Sequence, residues 1–119
     1  MTPRYHTPLP PEAQAAAGLA RPQPLAMADR VRFGELDMLG HVNNIHYLRW
    51  FESLRVRYFM DWGLTTYRAP AEEPRIVIRR GETDYLAELT LDADYIVTAG
   101  CAAFRRTSFT MHQEVWSQG

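Results

Sequence analysis

A run of large apolar residues between positions 44 and 62 constrains the fold of this chain more than any other feature of its sequence. Its members recur at every third or fourth position: Ile45, Leu48, Phe51, Leu54, Tyr58 and Trp62. This spacing places them on one face of an α-helix, and further apolar residues widen that face. A helix with so wide an apolar face packs against other elements on more than one side. Asn43 or Asn44 is expected to cap its start, and Gly63 to end it.

The segments around this helix are predicted to form strands. Residues 30–33 alternate polar and apolar side chains, as a short strand does. After the helix, β-branched and apolar residues predict strands at residues 75–85, 89–91, 95–98 and 104–116, the last divided near Arg105. One strand, one long helix and then several strands is an α+β order. We therefore expect an antiparallel β-sheet wrapped around one long central helix.

The first 28 residues differ in composition from the rest. They contain six of the eight prolines of the chain: Pro3, Pro8, Pro10, Pro11, Pro22 and Pro24. Because proline interrupts both helices and strand ladders, residues 1–28 are predicted to be a flexible Pro/Ala-rich tail. The folded domain then spans residues 29–119. A tail that binds a partner is the alternative interpretation.

Charge and hydropathy exclude several classes of partner. The chain has 13 Lys and Arg against 14 Asp and Glu, a formal net charge of −1. It therefore lacks the strongly basic surface that binds nucleic acid or anionic membranes. No apolar run approaches the roughly 18 residues of a membrane-spanning helix. Cys101 is the single cysteine and cannot form an internal disulfide, which is typical of a cytoplasmic protein.

An acidic loop directly before the long helix carries the candidate chemistry. Asp37 lies seven residues before Asn44, where the helix is predicted to begin. The first N–H groups of a helix lack intrahelical acceptors and lie at the positive end of its dipole, so they can stabilise negative charge on a carbonyl oxygen. A neighbouring carboxylate can attack the same carbonyl carbon or deprotonate a water that does. A carboxylate and an oxyanion donor together are the minimum set of groups for acyl transfer. Glu35 is expected to be a solvated loop acid rather than a second catalytic group.

This loop and helix start resemble a known family. In 4-hydroxybenzoyl-CoA thioesterase-like hot-dog proteins, an acidic residue, a Gly-His-Val-Asn-Asn run and a tyrosine open the central helix. Here Asp37 and Tyr47 flank the matching run of Gly40, His41, Val42, Asn43 and Asn44. Weaker similarity extends over residues 31–115. The resemblance implies a hot-dog fold. Because relatives continue for one more strand, the chain is expected to lack its last strand and to be C-terminally truncated.

The resemblance also implies an activity and an assembly. The chain is expected to hydrolyse an acyl-CoA thioester to free acid and coenzyme A, without a cofactor or a metal, and to associate as a homodimer or homotetramer. Asp37 would be the nucleophile or general base, and the N–H of Asn44 the oxyanion donor. His41 would act in catalysis or orient the loop by hydrogen bonds. Arg105 or Arg106 would lie near the phosphates of coenzyme A. The remaining implied substrate-binding residues are Gly40, Val42, Asn43 and Tyr47.

Several alternatives stay open on the sequence. A non-catalytic hot-dog module would bind acyl-CoA or only dimerise, and a chain without its last strand would not fold alone. The thiol carrier could be coenzyme A or acyl-carrier protein, and the sequence does not define the acyl group. A metal site is disfavoured, because His41 and His46 are five residues apart and do not share one helical face.

Overall fold

The helix predicted for residues 44–62 is present as α2, Asn44–Asp61, in a computed structural model that describes residues 4–69 and 71–117. The Asn43 side chain caps its start by accepting the N–H of Ile45 at 3.3 Å. At its end Gly63 adopts a φ of +77° and donates its N–H to the Met60 carbonyl at 3.0 Å. This is the left-handed C-terminal cap that glycine favours. Across the described residues, no helix has the length and apolar character that a membrane crossing requires.

An antiparallel sheet packs against α2. Its strands are β1 (Leu25–Arg30), β2 (Asp94–Phe104) and β3 (Phe109–Trp116), in the order β1-β2-β3. β2 thus fulfils the prediction for residues 95–98, and β3 most of the prediction for residues 104–116. The combination of one long helix with this sheet confirms the predicted α+β class.

The main hydrophobic core lies between α2 and the sheet. Side chains from the helix, the strands and the loops at the helix start meet there. The buried members are Leu25, Val31, Val42, Leu54, Leu89, Tyr95, Val97 and Ala99. Because Val42 and Leu89 belong to this core, the loops that carry them are held firmly beside the N-terminus of α2.

The strand predicted at residues 30–33 was placed too late in the sequence. β1 ends at Arg30, and residues 33–35 form a short 3-10 helix instead. Alternation between polar and apolar residues is absent from β1 because both of its faces are buried. Met27 packs against the main core, whereas Ala26 and Ala28 contribute to a second cluster on the opposite face.

The prediction of a flexible tail at residues 1–28, followed by a domain that begins at residue 29, was also wrong for residues 4–28. A short helix α1, Pro11–Ala16, precedes β1, and that strand itself crosses the predicted boundary. Gln14 is 2% exposed, and its amide bonds the backbone of Leu9 and Gln23. Leu19 packs in the second cluster, on the outer face of the sheet. Prolines here shape a packed segment; residues 1–3 lie outside the described chain.

The strands predicted at residues 75–85 and 89–91 do not form within the described chain. Residues 75–86 have no strand assignment, and Thr90 makes only an isolated antiparallel bridge with His41. Val77 and Ile78 are 73% and 67% exposed, although their β-branched side chains favour strands. Propensity alone does not form a ladder without a neighbouring strand. Of the turn predicted at residues 117–119, the last two residues lie outside the described ones.

Glu73 fixes the loop that follows α2. Its carboxylate accepts the backbone N–H and the hydroxyl of Thr66, and the N–H of Ala69 at 3.2 Å. Hydrogen bonds from the side chains of Thr65 and Thr66 lower the pKa of Glu73 from 4.5 to about 2. The ionised carboxylate is therefore the form that holds this loop.

We expect the contribution of Glu73 to stability to vanish in acid. A lowered folded-state pKa stabilises the folded protein above pH 4.5 and loses this effect as the pH falls toward about 2. Glu73→Gln should therefore lower the melting temperature at pH 6, and the difference from the wild type should shrink progressively as the pH falls from 4.5 to about 2. Melts recorded across this range test it, with Glu72→Gln as the matched control. A difference at pH 2 as large as that at pH 6 would contradict the assignment.

Candidate active site

The loop before α2 folds back on Asp37. Oδ1 of Asp37 accepts the backbone N–H of Leu39 at 2.8 Å and that of His41 at 3.3 Å. The backbone N–H of Asp37 donates to the carbonyl of His41 at 2.8 Å. Gly40 closes the turn with a φ of +82°, a backbone conformation that favours glycine. One carboxylate oxygen thus fixes the turn, whereas Oδ2 makes no hydrogen bond to residues 4–69 or 71–117.

A pocket of about 530 Å³ opens beside this loop. It brings together five of the nine residues predicted for the site: Asp37, His41, Val42, Asn44 and Tyr47. Its other side is formed by Leu39 and the segment Tyr85 to Glu88. The pocket combines two carboxylates, an imidazole and two phenols with aliphatic side chains, which suits a ligand with a polar reacting group and an apolar part.

The N-terminus of α2 faces this pocket through its first residue, Asn44. The cap formed by Asn43 uses the N–H of Ile45, and the N–H of Asn44 has no acceptor within the helix. At the positive end of the helix dipole, such a group favours a negatively charged or polarised oxygen. The start of α2 therefore favours a polarised oxygen bound in the pocket beside Asn44.

Tyr47 supplies a neutral phenol to the pocket. Burial raises its pKa, and the nearby carboxylate of Glu88 and phenol of Tyr85 raise it further, against the lowering effect of a backbone hydrogen bond at Leu89. Its ring meets Tyr85 edge to face, with centroids 5.7 Å apart, and Trp50 likewise at 5.1 Å. A protonated, edge-packed phenol can line a binding site without adding charge.

Glu88 is a residue of the pocket that sequence reasoning missed. Its Oε2 lies 3.1 Å from Nε2 of His41, and its side chain is 69% exposed. The sequence carried no motif that pointed to Glu88, which lies only within the region of weaker family similarity, residues 31–115. Within the described residues, no group of three or more His, Cys, Asp or Glu side chains is arranged to hold a metal ion.

Four predicted substrate-binding residues do not line the pocket. Gly40 shapes the turn and Asn43 caps the helix, so both act on the backbone around the pocket. Arg105 and Arg106 lie in the hairpin between β2 and β3, where the N–H of Arg105 donates to the Ser108 carbonyl at 2.8 Å. Both arginines are exposed. Neither arginine lines this pocket, and their contact with phosphates stays a prediction.

Comparisons with known proteins agree on one family. Residues 31–119 match the model of the thioesterase-like superfamily. A crystal structure of a thioesterase superfamily protein from Jannaschia sp. CCS1 aligns with a TM-score of 0.89 and 44% identity, over 98% of this chain and 72% of that one. A thioesterase from Thermus thermophilus, solved with coenzyme A and zinc, aligns with a TM-score of 0.70 and 31% identity, over 81% and 74%.

A curated relative is also similar. An uncharacterised protein from Bacillus subtilis (strain 168), YsmA, is 28% identical over 82 residues, which are 69% of this chain. The chain spans about half the length of that relative, 54% of it. The structural similarities also confirm the hot-dog fold predicted from the sequence.

Proposed function

Because the chain belongs to the thioesterase-like superfamily, we propose that it hydrolyses the thioester bond of an acyl-CoA, releasing a free acid and coenzyme A. One observation carries this proposal: the Asp37 carboxylate and the first residue of α2, Asn44, line the same pocket. The Thermus relative was solved with coenzyme A, which supports coenzyme A over acyl-carrier protein as the thiol carrier.

The N–H of Asn44 acts as the oxyanion donor in this proposal. A thioester carbonyl oxygen seated at the start of α2 accepts this N–H, and the helix dipole stabilises the negative charge that develops when the carbonyl carbon is attacked. The cap formed by Asn43 contributes by fixing the direction of the first helical turn. Loss of one oxyanion donor typically costs about 2.7–4 kcal/mol of transition-state stabilisation.

Asp37 activates the attacking group. As a nucleophile, its oxygen bonds the acyl carbon, the C–S bond breaks, and water then hydrolyses the resulting anhydride. As a general base, it takes a proton from a water that attacks directly and expels the thiolate. Both routes use Oδ2, because Oδ1 is held by Leu39 and His41. A thiol with a pKa of about 8.5 leaves readily as the thiolate, so a strong general acid is unnecessary.

His41 orients the acidic loop in this proposal. Its backbone N–H and carbonyl both bond Asp37, and its ring pairs with Glu88. These contacts support the orienting role over direct proton transfer. Arg105 and Arg106 are exposed cations that can meet the phosphates of a coenzyme A bound across a subunit boundary.

Self-association as a homodimer or homotetramer is part of the same proposal. Large apolar side chains around the acidic loop and the first turns of α2 are open to solvent: Phe33, Met38, Leu39, Ile45 and Leu48 are 47–103% exposed. An apolar patch of this kind is typical of a protein interface. A second copy placed there would cover the patch and shield the pocket from water.

A non-catalytic acyl-CoA-binding module is the second candidate. The observation that favours it is the Asx-type turn of Asp37, since a carboxylate that only fixes a turn would give the same bonds to Leu39 and His41. Calorimetric titration with acyl-CoA, followed by a chromogenic assay of thiol release, separates the two. Hydrolysis of at least one aromatic or aliphatic acyl-CoA supports the enzyme. Binding without thiol release supports the module.

A further inference from the structure

Glu35 links the acidic loop to the body of α2. Its Oε1 accepts the backbone N–H of Arg32 at 2.8 Å, and its Oε2 accepts the indole N–H of Trp50 at 2.7 Å. Its backbone carbonyl accepts the N–H of Asn43, the cap of α2, at 2.9 Å. Both carboxylate oxygens are occupied and the residue is half-buried. The expectation of a solvated loop acid was therefore wrong.

Trp50 is a rigid anchor for this carboxylate. Its ring stacks on Tyr95 of β2, with centroids 4.1 Å apart and an angle of 16° between the planes. Tyr95 is 3% exposed and belongs to the main core. Trp50 also meets Tyr47, which lines the pocket. The indole N–H is consequently held at a fixed point relative to both the sheet and the pocket.

We propose that Glu35 is a positioning residue, which sets the distance between the Asp37 carboxylate and the N–H of Asn44 by tying the acidic loop to Trp50. This inference rests on the proposed function. Glu35 lies two residues before Asp37, and its carbonyl holds the residue directly before Asn44. A single side chain and its own carbonyl therefore connect the two halves of the site.

Glu35 does not act on the substrate itself. It is absent from the pocket lining, and its two oxygens already accept N–H groups of the protein. A charge-assisted hydrogen bond to the indole is stronger and more directional than a neutral one. The rate of a reaction that depends on the placement of catalytic groups is sensitive to the loss of such a bond. A displacement of about 1 Å caused by a mutation away from the chemistry can cost about 10²-fold in rate.

Glu35→Gln tests the inference, because glutamine keeps the shape but puts a donor NH2 group in place of one of the two oxygens that accept the N–H groups of Arg32 and Trp50. We expect kcat for acyl-CoA hydrolysis to fall by about 10- to 100-fold, while KM changes little. Trp50→Phe, which removes the indole donor, should lower kcat similarly. The double variant should be no worse than the poorer single variant, because both substitutions break one link. Glu52→Gln, an exposed carboxyl on α2, is the control and should leave kcat unchanged.

Amide hydrogen exchange separates this inference from the proposed function. In Glu35→Gln, exchange across residues 36–42 should accelerate by roughly tenfold or more, since the loop loses its tie to α2. Faster exchange in a protein whose wild type releases no thiol would support the tie and count against hydrolysis. An active wild type whose Glu35→Gln variant keeps full kcat, or a variant with unchanged loop exchange, would overturn the inference.

Discussion

Replacement of Asp37 by asparagine is expected to lower kcat/KM for acyl-CoA hydrolysis by about 10²–10⁴-fold. Asparagine has nearly the shape of aspartate, and its amide oxygen can still accept the N–H groups of Leu39 and His41 that Oδ1 accepts now. The turn should therefore survive, whereas the negative charge that attacks the carbonyl or activates water is lost. Thiol release measured over a range of acyl-CoA concentrations gives kcat/KM for the variant and the wild type.

The control for this prediction is Asp61→Asn. Asp61 ends α2 and pairs with Arg57 at 2.9 Å on the exposed side of the helix, where such an ion pair contributes only about 0.3–0.5 kcal/mol. Its activity should equal that of the wild type. If Asp37→Asn instead keeps full turnover while binding acyl-CoA, Asp37 serves the turn alone and the catalytic carboxylate is a different group.

Leu54→Ala is expected to lower the free energy of unfolding by about 2–5 kcal/mol, the usual cost of a cavity at a buried leucine. Leu54 is 5% exposed and forms part of the main core with Val97 and Ala99 of β2. Truncation there removes part of the packing between α2 and the sheet. Urea denaturation followed by circular dichroism measures the difference.

Leu48→Ala is the matched control on the same helix. Leu48 is 47% exposed, so its truncation leaves no closed cavity and should cost far less than that of Leu54. Equal losses for the two variants, measured at a protein concentration at which the chain is monomeric, would mean that α2 presents a different face to the sheet. If the pair also differs in concentration dependence, with Leu48→Ala weakening a dimer, that result would support the proposed association through the exposed patch.

The sequence predicted best those elements whose signals are local. The position of α2 follows from the spacing of its apolar residues, the cap at Asn43 and the glycine at position 63, all of which are found. β1 was misplaced because Ala26 and Ala28 are buried against the preceding segment, and small residues carry little hydrophobic signal. At residues 75–85 a strand was predicted that does not form, because a strand needs a neighbouring strand to pair with and β-propensity does not supply one.

The same distinction between local and long-range signals applies to the site residues. Asp37 and Asn44 were predicted together because an acidic loop before a helix start is visible in the sequence, and both line the pocket. Glu88 was missed because only the folding of a distant segment brings it to His41. The role of Glu35 was misjudged because nothing in the sequence marks Trp50 as its hydrogen-bond partner. A hydrogen bond between residues fifteen positions apart produces no periodic pattern in the sequence.

A crystal structure of the Asp37→Asn protein with a bound acyl-CoA would test the central claim most directly. The account predicts the thioester carbonyl oxygen about 2.7–3.1 Å from the backbone nitrogen of Asn44, with the carbonyl carbon facing the side chain of residue 37. An acyl-CoA whose thioester lies outside this pocket, away from the start of α2, would contradict it.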